Sequence, residues 1–133
     1  MKKILIVEDD QNISRGLAIR LKYAGYEVNV APDALTGLEV ALQKSPDLVI
    51  LDISLPAGNG FGVGERIQSL LPTATPLIFL TASQKPGLRE KARELGAAGF
   101  FQKPYDAGEL LAAIKVALDG GKVSQAASEV YAL

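Results

Sequence analysis

Leu48-Val49-Ile50-Leu51-Asp52 is a run of four apolar residues closed by a carboxylate. Successive side chains of a strand point to opposite sides, so a run that is apolar throughout belongs to a strand covered on both faces. The pattern recurs at Ile4-Leu5-Ile6-Val7, closed by Glu8-Asp9-Asp10, and at Leu77-Ile78-Phe79-Leu80, closed by Thr81-Ala82. Val28 and Val30 alternate with polar neighbours in a weaker, more peripheral strand. Gly99-Phe100-Phe101-Gln102 makes a short fifth strand ahead of Lys103-Pro104.

Segments of helical period separate these runs. Ile13, Leu17 and Leu21 line one face, with Asp10 expected to cap their helix. Asp33 can cap a helix carrying Leu35, Leu38 and Leu42. Val63, Ile67, Leu70 and Leu71 form a third stripe, and Leu88, Ala92 and Leu95 a fourth. Asp106 with Glu109 has capping-box spacing and opens a last helix with the stripe Leu110, Leu111, Ile114 and Leu118. Strand and helix alternate about five times, which predicts an α/β fold on a parallel sheet. Gly120-Gly121 ends the pattern. One domain over residues 1–121 is expected, with 122–133 as a weakly patterned tail or the start of a linker.

At 133 residues the chain suits one such domain. Hydrophobic residues at 48% and charged residues at 22% are ordinary for a folded globular protein. A formal charge of -1 gives no general pull toward nucleic acid or anionic membrane, so neither is expected as a partner. With no Cys and no His, the chain has no disulfides, no thiolate or imidazole metal ligands, and no phosphohistidine of its own. Carboxylate, hydroxyl and Lys chemistry remain. The opening residues are too short for a signal peptide and no apolar run approaches a membrane span, so the expected location is cytoplasmic.

In a parallel α/β sheet, functional groups collect where strands end, at the carboxyl edge. Glu8, Asp9 and Asp10, Asp52, Thr81, and Lys103 each follow a separate strand and can meet there. Carboxylates brought together repel by roughly 4 kcal/mol per pair at 4 Å in an effective dielectric near 20. Raised pKa values can offset this, and so can a hard divalent cation, which needs only one or two carboxylates plus water. A solvated helix start is the plain alternative for the acidic cluster. A surface charge is the plain alternative for Lys103.

Four motifs in order, Ile4–Asp10, Pro46–Pro56 with Gly60, Leu80-Thr81-Ala82 and Gly99–Pro104, resemble the response regulator receivers of two-component signalling over roughly residues 2–119. The resemblance implies a flavodoxin-like, doubly wound, five-stranded parallel sheet in the order 2-1-3-4-5 with helices on both faces. It implies Asp52 as phosphoacceptor and Mg²⁺ (or Mn²⁺) as cofactor. Asp9 would ligate the metal directly and Glu8 through water, with Asp52 and the Ser54 backbone carbonyl completing the protein ligands. Lys103 and Thr81 would attend the phosphoryl group, Ala82 would leave it room, and Pro104 would follow a cis peptide. Phe100 would be the switch aromatic, turning inward on activation, though a plain core aromatic is the simpler reading of it.

The implied donor is a histidine kinase or phosphotransfer protein, or a small phosphodonor. The implied output is a partner or homodimer through helix 4, strand 5 and helix 5. On this reading the chain is a regulatory module, not an enzyme, although it catalyses its own phosphorylation and dephosphorylation. Ser54 and Ser83, at positions that influence phosphoryl lifetime, are both small and neutral. Gly58, Gly60, Gly62 and Gly64 depart from a good helix former, and the segment is read as a flexible loop.

A flavin carrier is disfavoured, because Glu8-Asp9-Asp10 would repel a flavin phosphate. A metal-dependent phosphohydrolase would want an Asp-x-Asp pair where this chain has Asp52-Ile53-Ser54. The remaining rival is a receiver fold used as an interaction scaffold and never phosphorylated.

Overall fold

Strands that are apolar on both faces must lie inside a layered structure, and the three aliphatic runs do. In the computed structural model, which describes residues 1–55 and 58–120, they are β1 (Lys3–Val7), β3 (Leu48–Asp52) and β4 (Leu77–Thr81). The weaker runs are the outer strands β2 (Glu27–Ala31) and β5 (Gly99–Gln102). All pairings in this sheet are parallel, in the order β2-β1-β3-β4-β5, as expected. The register sets Val7 beside Leu51, Asp52 beside Leu80 and Thr81 beside Gln102, so the strands end at one common edge.

Alternate strand residues divide between two cores. Ile4, Ile6, Ile50 and Leu80 pack with Leu17 and Leu21 of α1 (Gln11–Tyr23) and with Leu110 and Ile114 of α5 (Ala107–Leu118). On the other face Leu5, Val7, Leu51 and Phe79 meet α2 (Ala34–Lys44), α3 (Gly60–Leu70) and α4 (Leu88–Glu94) through Ala41, Ile67 and Ala92. Each Leu, Ile or Phe buried this way contributes roughly 1.5–3 kcal/mol. Asp10, Asp33 and Asp106 cap α1, α2 and α5 by accepting from backbone N–H groups two or three residues on.

Three expectations need correction. Leu35 and Leu42 do not line the buried face of α2; they are exposed, and Gly37 and Ala41 face the sheet instead. A Cβ at Gly37 would stand 2.9 Å from Val7 Cγ2, so close packing selects small residues over large ones there. Leu70 is exposed as well, because α3 presents Val63, Gly64 and Ile67 inward. The glycine-rich segment is not a flexible loop: Gly58-Asn59 pairs antiparallel with Ser54-Leu55, and α3 begins at Gly60. Asn59 caps it through Gly62 N–H, and Gly64 lies where a Cβ would press on Leu77 and Phe79.

The expected tail, residues 122–133, lies outside the described residues, as does Pro56 of the second motif. Among the described residues no helix is long and apolar enough to cross a membrane.

Candidate functional site

The common strand edge brings Glu8, Asp52, Thr81 and Lys103 together. Glu8 and Asp52 are nearly inaccessible, at 2% and 4% exposure, whereas Asp9 is exposed. Lys103 Nζ donates to Glu8 Oε1 at 2.6 Å and to Asp52 Oδ2 at 3.0 Å, one cation shared by two buried carboxylates. The other Asp52 oxygen accepts from Ser54 N–H at 3.0 Å. Lys103 is itself fixed by its backbone N–H, which donates to the Thr81 carbonyl at 2.7 Å, and its bond to Pro104 is cis, as the resemblance implied.

Asp10 points away, its Oδ1 accepting from Asn12 and Ile13 N–H. Only its backbone N–H turns back, to Glu8 Oε2. Thr81 is fully buried and its hydroxyl accepts from Ser83 N–H at 2.9 Å. Phe100 is already buried, with the Arg89 guanidinium 5.0 Å from its ring centroid. Phe100 is thus buried in this structure, the position the plain core reading expects for it throughout and the switch reading after activation. Ala82 is exposed at the rim.

Burial pushes the Glu8 carboxyl up from 4.5 to about 7, and the adjoining Asp52 pushes it the same way; Lys103 pulls against both. Burial alone would lower the Lys103 ammonium, but hydrogen bonds to Glu8 and Asp52 outweigh it and hold it above its ordinary value. The site is thus short of positive charge. Carboxylate oxygens of Glu8, Asp9 and Asp52 all lie within 4.8 Å of one another. An all-oxygen donor set with one exposed member suits a hard cation that keeps several of its waters, which describes Mg²⁺ or Mn²⁺.

Sequence reasoning undervalued Gly60. A Cβ there would collide with the Asp52 carbonyl oxygen, and the Gly60 N–H donates to Ile53 O at 2.9 Å. The absent side chain lets the start of α3 close against the end of β3. The available signal was Asn59, a good N-cap residue directly ahead of a helical stripe. Beside the acidic cluster a groove of about 590 Å³ runs between α1 and the start of α5, lined by Asn12, Ile13, Arg20, Ala82, Lys103 and Tyr105.

The family model for the response regulator receiver domain matches residues 4–115. The chain is 39% identical over 118 residues to the response regulator ArlR of Staphylococcus epidermidis, covering 89% of this chain and 53% of that one. It is 38% identical over 119 residues to the DNA-binding dual master transcriptional regulator RpaA of Synechocystis sp., covering 89% and 49%. The chain therefore spans about half the length of these curated relatives. Among solved structures, the CheY-like receiver domain protein from Methanospirillum hungatei JF-1 superposes with a TM-score of 0.85 at 32% identity, over 90% of this chain and 95% of that one.

Proposed function

The chain belongs to the response regulator receiver domain family, the phosphorylation-activated switches of two-component signalling, and we propose that Asp52 is its phosphoacceptor. The carrying observation is the shared cation: Lys103 bridges Glu8 and Asp52 at the one strand edge where all the polar motifs meet. In the proposed reaction an Asp52 carboxylate oxygen attacks phosphorus in line. The new O–P bond forms as the P–N bond of a partner's phosphohistidine, or the P–O bond of a small phosphodonor, breaks. The leaving group departs with that electron pair.

Charge on the transferring group is where such reactions gain most of their stabilisation. Lys103 supplies one fixed positive charge, and its double hydrogen bond keeps the ammonium aimed at Asp52. Glu8, Asp9, Asp52 and the Ser54 carbonyl would hold Mg²⁺, which when bound would neutralise further phosphoryl charge. The Thr81 hydroxyl accepts from Ser83 N–H, which leaves its proton to donate to a phosphoryl oxygen. Ala82 leaves the rim open, and the adjoining groove gives a donor protein a place beside the acceptor. Histidine kinases or phosphotransfer proteins are the proposed donors. Output runs through α4, β5 and α5 to a partner or a second copy.

A scaffold that is never phosphorylated would gain nothing from burying two carboxylates and a lysine, since desolvating charges costs several kcal/mol per ion before pairing returns any of it. Incubation with acetyl phosphate and Mg²⁺ tests the assignment. Intact-mass analysis should show one added phosphoryl group, mapping to Asp52. A label that persists in Asp52→Ala, or that maps to Ser54, would overturn it.

A further inference from the structure

Helix α4 is poorly equipped to hold itself in place. It has seven residues, far below the length at which an isolated helix is stable in water. Its N-cap is Gly87 at φ 88°, which offers no side-chain cap. Ala92 is its one fully buried residue; Leu88 and the C-cap Leu95 are half-buried. Beyond the core contacts of Leu88, Ala92 and Leu95, what fastens it is two cations on aromatic faces. Arg89 sits 5.0 Å from the centroid of Phe100, and Lys91 Nζ sits 5.2 Å from that of Phe61. At the far end, Gln68 Nε2 of α3 donates to the Leu95 carbonyl at 2.7 Å.

The two rings are not arbitrary anchors. Phe100 stands on β5 three residues before Lys103. Phe61 follows Gly60, the residue whose backbone abuts the Asp52 carbonyl, and its buried ring packs on Phe79 of β4 at 4.9 Å. Each ring therefore belongs to a segment that ends at the phosphoryl site, one through β5 and one through the start of α3.

We propose that Arg89 and Lys91 are positioning residues: they clamp α4 onto Phe100 and Phe61, so that the lie of α4 answers to the acceptor site by two separate routes. The route through Gly60, Phe61 and Lys91 involves neither Thr81 nor Phe100. Fastening of α4 is a property of the resting protein; coupling to phosphorylation rests on Asp52 being the acceptor. Phe100 is buried in this structure, so the proposal places the change on activation at the seat of the two cations and the helix that carries them.

Hydrogen exchange over residues 88–95 tests this in the wild type, in Arg89→Gln and Lys91→Gln, and in the charge-keeping Arg89→Lys and Lys91→Arg. Each is measured with and without Mg²⁺ and beryllofluoride. A cation over an aromatic face at an exposed site is worth about a two- to fivefold change in a local opening equilibrium. Each Gln variant should therefore exchange faster in α4 by about that factor. The charge-keeping variants should retain protection, and the α4 response to beryllofluoride should shrink in the Gln variants. In a Phe100→Leu background, Arg89→Gln should have a smaller further effect on α4 than it has in the wild type.

Exchange in α4 that matches the wild type in both Gln variants would overturn the clamp. So would loosening spread evenly over α1 to α5, or loosening that the charge-keeping variants share. Phosphorylation by acetyl phosphate, followed by mass, separates the two levels. If the wild type takes no phosphoryl group while the Gln variants still loosen α4, the acceptor assignment and the coupling fail and the fastening stands.

Discussion

Glu8 and Asp52 share one ammonium, and Glu8 is left with its carboxyl raised to about 7 by burial and by its neighbour. A raised carboxyl pKa means that the folded protein binds more protons than the unfolded chain between pH 4.5 and about 7. Glu8's contribution to the stability of the metal-free protein should therefore be fully present below that window and be lost as pH rises through it. Thermal unfolding from pH 4.5 to 8 in the presence of a chelator measures this. The wild type should lose stability across the window, and Glu8→Gln, which cannot ionise, should flatten the profile. Added Mg²⁺ should restore stability chiefly at the alkaline end, where Glu8 is charged. An equally steep fall in Glu8→Gln would place the titration elsewhere. The residue types at this site were legible in the chain, since carboxylates and a lysine each closed an apolar run. That Lys103 would bind both Glu8 and Asp52 was not, because residues 8, 52 and 103 meet only when β1, β3, β4 and β5 lie side by side.

The contrast between strands and helices shows how far periodicity reaches. A strand buried on both faces announces itself by unbroken apolarity, and β1, β3 and β4 sit where those runs are. Helix α2 announced its face only in part: of its large residues at helical spacing Leu38 packs against the core, Leu35 and Leu42 are exposed, and the fully buried positions are small because the helix lies close against Val7. In α3 the glycines argued against a helix on propensity, at about 1 kcal/mol each in an interior. Two of them are required by contacts that propensity does not see. Gly60→Ala would drive a Cβ into the Asp52 carbonyl, and overpacking of that kind costs typically about 1–3 kcal/mol. Thermal denaturation should show that loss, together with slower phosphorylation from a displaced Asp52. Gly62→Ala, exposed and with Asn59 Oδ1 at an ordinary 3.7 Å from the new Cβ, should instead stabilise by up to about 1 kcal/mol. A similar gain in both variants would mean that helix propensity, and not the close approach to Asp52, governs this segment.

At the scale of the whole molecule, phosphorylation adds up to about two negative charges at the carboxyl edge of the sheet. The groups that can respond, the Thr81 hydroxyl and the Lys103 ammonium, stand on β4 and directly after β5. Beryllofluoride with Mg²⁺ should therefore change hydrogen exchange over residues 81–105 and in the flanking helices α4 and α5. The change should be blunted in Thr81→Ala although metal still binds. A response confined to α1 and α2 would refute this output face and favour the passive scaffold. The mechanism needs two arrangements within a few kcal/mol of each other, with the phosphoryl group biasing their populations. The sequence by itself determined the α/β class, the inner strands, the three aspartate caps and the set of polar residues that close the strands. These follow from local rules: side-chain alternation, helical period and the hydrogen bonds a short polar side chain can make to its own backbone. Only the tertiary structure decided which face of α2 is buried, why α3 begins on a glycine, that Phe100 rests inward, and that Arg89 and Lys91 lie over aromatic rings. Each of these depends on distances between segments far apart in the chain, and no local pattern encodes such distances.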